Sequence, residues 1–154
     1  ASEIDKIELV LKDRREVVVE DVESVVGASK EFNVFEFADA VSDKNQPKSL
    51  RILHRLLELG ESPIGILVML NRQYTIIIKA KELSAASARK DEMSRTLRVN
   101  PYFVEKYVRQ AGKYNRNQLG DIMQLLLTAD QHLKSSYQKP KLILESLIFE
   151  INAL

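Results

Sequence analysis

Pro47-Lys-Ser-Leu-Arg-Ile-Leu-His-Arg-Leu-Leu-Glu-Leu59, then Gly60-Glu-Ser62, then Pro63-Ile-Gly-Ile-Leu-Val-Met-Leu-Asn-Arg-Gln-Tyr-Thr-Ile-Ile-Ile-Lys-Ala-Lys-Glu-Leu83 reads as two helices joined by a tight corner. Gly60 can take the left-handed conformation that closes the first helix. Ser62 can accept from the free amides at the start of the second, and Pro63 suits its first position. Leu50, Leu53, Leu56 and Leu57 share one helical face. The second helix is apolar on nearly every side (Ile64, Ile66, Leu67, Leu70, Tyr74, Ile77, Ile78), the pattern of a helix buried among others. Arg72 and Gln73 interrupt it, and a membrane span needs ~20 apolar residues with few charges, so no span is expected.

Outward from this pair, punctuation recurs. Asn33 to Val41 predicts a helix capped by Asn33, with Phe37, Ala40 and Val41 on one side. Before it, residues 3–11 predict a short helix, Val17-Val-Val19 is extended in character, and Glu20 to Val26 predicts a helix closed by Gly27. After the pair, Ser84–Ala88 predicts a loop and Arg89–Val99 a short helix. Asn100-Pro101 opens a helix over Tyr102–Ala111. Asn115 and Gln118 have capping-box spacing and open a long helix through Leu133. Tyr137 to Pro140 breaks it, and a last helix carries Leu142, Leu147, Ile151 and Leu154 on one side. The expected fold class is all-α, with no strand and no fixed-period repeat.

The 154 residues suit one ordinary domain, or one domain with part of another. Net charge is +1, but it is unevenly placed. Residues 1–45 hold 6 basic and 12 acidic side chains, and residues 46–154 hold 17 and 10. The split favours two units, 1–45 and 46–154, the second facing an anionic partner or simply carrying a solvated basic face. Without Cys there is no disulfide framework and no thiolate metal site. The chain starts Ala-Ser-Glu-Ile with no signal-peptide pattern, and is expected to be a piece of a longer protein.

Enzymatic chemistry has little footing, so no catalytic, cofactor or metal residues are expected. His54 and His132 lie in separate helical patterns, no phosphate-cradling Gly-x4-Gly-Lys-Ser/Thr loop occurs, and the acids are dispersed. Ser94 to Arg109 has helix-turn-helix character. Nine bases and four acids lie between Lys79 and Lys113, making a helix-turn-helix DNA-binding regulator the alternative reading. Yet base-reading side chains belong at the start of a recognition helix, and Tyr102-Phe103-Val104 there is expected to pack inward. Tyr137 lies between Lys134 and Lys139-Pro-Lys141, where its ring could stack on an unpaired base while Lys134, Lys139 and Lys141 meet phosphates. The bland reading is a loop tyrosine over a neighbouring helix end. Val68, Met69 and Ile76, with Leu144, Ile148 and Phe149, fall off the main apolar faces and are expected to meet a partner.

Asn33-Val-Phe-Glu-Phe37, Ser49-Leu-Arg-Ile-Leu-His-Arg-Leu-Leu57, Gly60-Glu-Ser-Pro63, Leu70-Asn-Arg-Gln-Tyr74, Val99-Asn-Pro-Tyr-Phe-Val104, Ala129-Asp130 and Leu133-Lys134, in that order, resemble the C-terminal half of bacterial DNA polymerase III clamp-loader delta subunits. Val19 to Gly27 resembles the family's lid helix. The resemblance covers essentially the whole chain and implies the remainder of a three-helix AAA+ lid over 1–45, then a helical-bundle collar domain over 46–154. It further implies a non-catalytic, cytoplasmic bacterial subunit acting in DNA replication, with no ATPase motif in this chain. The implied partners are the loader's ATPase subunits and delta prime, with primer–template DNA reached through the assembled complex. The sliding clamp would be met only by an N-terminal domain absent here.

Overall fold

The computed structural model describes residues 28–135 and 137–154. The elements expected over 3–11, 17–19 and 20–26, with the Gly27 cap, lie outside them. The described residues form seven α-helices and no strand. They are α1 (Ala28–Ser42), α2 (Gln46–Glu58), α3 (Pro63–Ala85), α4 (Lys90–Leu97), α5 (Val104–Ala111), α6 (Arg116–Ser135) and α7 (Pro140–Ala153), with a 3-10 turn over Pro101–Phe103 before α5. α3, 23 residues and about 35 Å long, packs against α1 and every helix from α4 to α7.

The corners are held as the side chains dictate. Ser62 Oγ accepts from the Gly65 amide at 3.2 Å, and Asn45 Oδ1 accepts from the Lys48 amide at 3.2 Å. Asn115 and Gln118 make a reciprocal box, each side-chain oxygen accepting the other's amide at 2.8 Å. Gly60 has φ of +82° and closes α2 with two tight bonds, its own amide to Leu57 O and the Glu61 amide to Leu56 O. Lys44, Ser87 and Arg98 occupy the same left-handed position after α1, α3 and α4, each with the following amide returned five residues back.

Two expected boundaries are corrected. Asn33 is no cap: it lies inside α1, which runs unbroken because nothing between Ala28 and Ser42 is Gly or Pro. The loop expected from Ser84 begins only after Ala85, where Ser87 turns left-handed. α1 packs into the same core as the helices that follow it. Val34, Phe37, Ala38, Ala40 and Val41 are buried in one core with residues from α2 to α7. The division expected at residue 45 thus falls between two helices that pack on each other.

Polar groups complete this join. Gln73 Nε2 donates to Asp39 Oδ1 and to Gln110 Oε1, and Gln110 Nε2 donates to the same Asp39 oxygen, all at 3.0 Å. Lys106 Nζ meets the other Asp39 oxygen at 3.1 Å. Alongside, Tyr114 donates its hydroxyl to the Ser42 carbonyl at 2.7 Å. That uses its single proton, so Tyr74, 3.0 Å away, donates to the Tyr114 oxygen. The two rings meet edge to face at 5.8 Å.

Burial pushes the Tyr114 phenol up to about 12, and Asp43 adds to the rise while the hydroxyl of Tyr74 opposes it. Burial also raises Tyr74 well above its ordinary value, as does the neighbouring Tyr114. Both phenols therefore hold their protons more tightly folded than unfolded, where the value is ~10. Stability is full below about pH 10 and is lost as pH rises toward about 12. Tyr114→Phe is expected to cost ~1–3 kcal/mol at neutral pH by urea denaturation, since it removes both bonds of that hydroxyl. It should also make the alkaline decline shallower. Equal declines in the two proteins would mean the pair does not titrate as described.

Candidate partner and nucleic-acid surface

α3 and α6 run antiparallel. Arg116, at the start of α6, meets Glu82 near the end of α3 at 3.0 Å. α7 turns back along α6, and Gln118 Nε2 donates to the Leu154 carbonyl at 2.7 Å. The α6–α7 connection holding Tyr137 is therefore at the same end of the bundle as the Gly60–Pro63 corner.

Tyr137 is fully exposed there. Lys134 pairs with Asp130 one turn back at 3.0 Å, so it is not wholly free for a phosphate. Lys139 and Lys141 are exposed, without an ion-pair partner among the described residues. Pro140 and the extended Lys139 start α7 abruptly, which holds the connection short. The exposed ring of Tyr137 thus lies two and four residues before the exposed Lys139 and Lys141.

The six apolar residues expected to face a partner separate into two groups. Val68 (58% exposed) and Phe149 (48% exposed) do face outward, and Met69 is half-buried. Ile76, Leu144 and Ile148 are corrected: all three are buried in the chain's own core. α3 is surrounded by five helices and α7 packs on α1, α2, α3 and α6, so sides that look surplus on a lone helix are already used. Leu142, expected on the buried side of α7, is exposed in their place. Leu59 and Ile64, flanking the Gly60 corner, are exposed as well.

Tyr102, expected to pack inward, does the opposite, at 81% exposed. The Asn100 side chain accepts from its amide at 2.9 Å and Pro101 fixes the turn, which directs the ring outward. Phe103 meets it edge-on at 5.2 Å and is partly buried, while Val104 is buried. Arg98 and Arg109 nearby in sequence are exposed and have no ion-pair partner among the described residues. The sequence offers one cue: an Asn-Pro start places the next residue in the outward first turn, where a large ring has no neighbour to cover it.

His54 Nε2 lies 2.6 Å from Glu145, tying α2 to α7, so this histidine has a structural partner. Among the described residues, no group of three or more His, Asp or Glu could hold a metal ion. No described helix is long and apolar enough to cross a membrane.

Residues 31–151 match the family described as DNA polymerase III delta subunit, C-terminal domain. The chain is 27% identical over 149 residues to DNA polymerase III subunit delta of Bacillus subtilis (strain 168), covering 97% of this chain and 43% of that protein. It is similar in structure to the Bacillus subtilis DNA clamp loader delta protein, with a TM-score of 0.73 and 25% identity over 87% of this chain and 40% of that one. The chain thus spans less than half the length of these relatives.

Placing a charge at each apolar position separates core from surface. Ile148→Asp and Ile76→Asp are expected to unfold the chain or cost more than ~3 kcal/mol, because each leaves a carboxylate in a packed core. Val68→Asp and Phe149→Asp should stay within about 1 kcal/mol of the parent. Thermal melts of the four variants check this, and a stable Ile148→Asp protein would overturn the burial.

Proposed function

The chain belongs to the family formed by the C-terminal domain of the DNA polymerase III delta subunit, and from that membership we propose that it is the assembly-forming, non-catalytic part of a bacterial clamp-loader subunit. The observation that carries the reading is a family match running from within α1 through to α7, across nearly all of the described helices. Its work is to hold loader subunits together through a helical collar during loading of the sliding clamp, with the ATPase subunits and delta prime as neighbours. The clamp itself would be met by the part of longer relatives that this chain does not span.

The residual apolar surface supports an assembly role. Val68 and Phe149, with Met69 half-buried, remain outward after the chain's own helices have covered Ile76, Leu144 and Ile148. An interface needs a few desolvated apolar anchors more than it needs charge. The shared core of α1 with α2–α7 favours a collar unit that begins within α1 rather than at residue 46. Whatever lid remains would lie before it.

The exposed rings support contact with primer–template DNA through the assembled complex. Tyr137 beside Lys139 and Lys141, and Tyr102 near Arg98, each offer a π-face close to cations in sequence. Stacking on an unpaired base suits such a ring and needs no major-groove helix. The helix-turn-helix reading of Ser94–Arg109 is less favoured: after the exposed Tyr102, Phe103 is partly buried and Val104 buried, where a recognition helix would present base-reading side chains.

In full-length subunit incubated with the loader's ATPase subunits and delta prime, Val68→Asp with Phe149→Asp is expected to weaken complex formation at least tenfold, read by size-exclusion chromatography. Undiminished assembly would remove this surface from the interface. Tyr137→Ala in the assembled loader is expected to weaken primer–template binding by ~1–3 kcal/mol. Unchanged affinity at low and at moderate salt would reject the stacking contact.

A further inference from the structure

The outer side of α2 carries Lys48, Arg51 and Arg55 at i, i+3 and i+7, within one stripe of the helix and all exposed. None has an ion-pair partner among the described residues. This is unlike much of the remaining surface: Arg89, Lys90, Arg95, Arg116 and Lys134 each lie within 3.8 Å of a carboxylate. Other unpaired cations come at most in pairs, as Arg72 and Lys79 do on α3 and Lys139 and Lys141 do at the start of α7. From Lys44 to Leu57 the sequence has no acid at all, and Glu58, the one acid on α2, forms no ion pair among the described residues.

The stripe is rigid from beneath. Ser49, Ile52, Leu53 and Leu56 bury the other side of α2, Asn45 caps its start, and His54 ties it to Glu145 on α7. The backbone positions that carry the three charges are therefore fixed relative to one another, and Glu58, one turn beyond Arg55, is the one carboxylate of this helix beside them. They span seven residues, about 10 Å along the axis.

We propose that the Lys48–Arg51–Arg55 stripe of α2 binds the phosphate backbone of a nucleic-acid strand. Three cations along about 10 Å of helix can reach two or three successive phosphates of one strand. The row contains no exposed large apolar side chain between its cations. A protein partner would want a desolvated apolar centre there, whereas a phosphate backbone needs only the charges. The contact carries no sequence information; it adds affinity and aligns the strand along α2. It does not depend on the assembly or stacking roles given above, because Val68, Phe149, Tyr102 and Tyr137 are outside the stripe.

The test is a salt titration of the chain's affinity for fluorescent oligo(dT), read by anisotropy. Lys48→Gln/Arg51→Gln/Arg55→Gln should lower affinity about tenfold or more at low salt and reduce the log–log salt slope by about 2, at ~0.7 per lost single-strand contact. Tyr137→Ala should leave the slope unchanged, so a failed stacking contact and a failed stripe are told apart. Circular dichroism and melting of the triple variant, with Arg51→Gln alone as the milder change, separate lost binding from lost fold. An unaltered slope in a folded triple variant overturns the proposal, as does absence of oligo(dT) binding by the parent chain at low salt. Competition by poly-glutamate as effective as that by oligo(dT), at equal charge, also overturns it by assigning the stripe to an acidic protein.

Discussion

The carboxylate of Asp39 is the constraint on which the arrangement of helices depends. It lies between α1, α3 and α5, at the edge of an otherwise apolar core, and its two oxygens accept from Gln73, Gln110 and Lys106. Gln110 is fully buried and Gln73 nearly so. A buried amide without a partner costs ~1–3 kcal/mol, so each of the three helices must sit at the one register that satisfies the others. Apolar side chains alone tolerate sliding; this set does not. The Tyr74–Tyr114–Ser42 chain repeats the constraint a few residues away, joining α3 and the α5–α6 connection to the end of α1. α1 therefore moves only with α3 and α5.

Local chemistry made much of the fold legible. Gly60, Ser62-Pro63, Asn100-Pro101 and the Asn115–Gln118 box each act through residues at most five apart, and each is seen in the structure. The missed ends have equally local causes. Lys44, Ser87 and Arg98 adopt the left-handed turn that Gly usually signals, and nothing in their identity announces it. Helix faces were less legible where the helix is apolar all round. In α7 the set Leu144, Leu147, Ile148 and Ile151 has the i, i+3, i+4, i+7 spacing of a core stripe and is the buried one. Leu142 and Phe149 compete with it in a plain count of apolar residues. In α3 the equivalent set around Ile76 is masked by Gln73, a polar residue that belongs to the core.

Gln73 shows why the rest was hidden. In the sequence it is an interruption beside Arg72, with nothing to mark it as buried. Its partners are 34 and 37 residues away, and Asp39 and Gln110 are 71 apart. No window of the sequence contains the network, and each member alone resembles an ordinary surface residue. The same non-locality explains the division expected at residue 45. Charge changes sign there, but charge is a property of the outer faces, while the inner faces of α1 and α2 are continuous.

The positive excess after residue 46 looks different once its ion pairs are removed. Arg89, Lys90, Arg95, Arg116 and Lys134 are neutralised by carboxylates close by, and Lys106 by Asp39. These charges serve the surface and the core of the chain itself, and they add little to a field felt at a distance. The cations that remain include the α2 stripe, Lys139 and Lys141 beside Tyr137, and Arg98 near Tyr102. Net charge overstates the breadth of the basic surface and understates its local order. These are a few separate positions rather than a diffuse cloud, and those of α2 stand on a capped helix whose other side is buried.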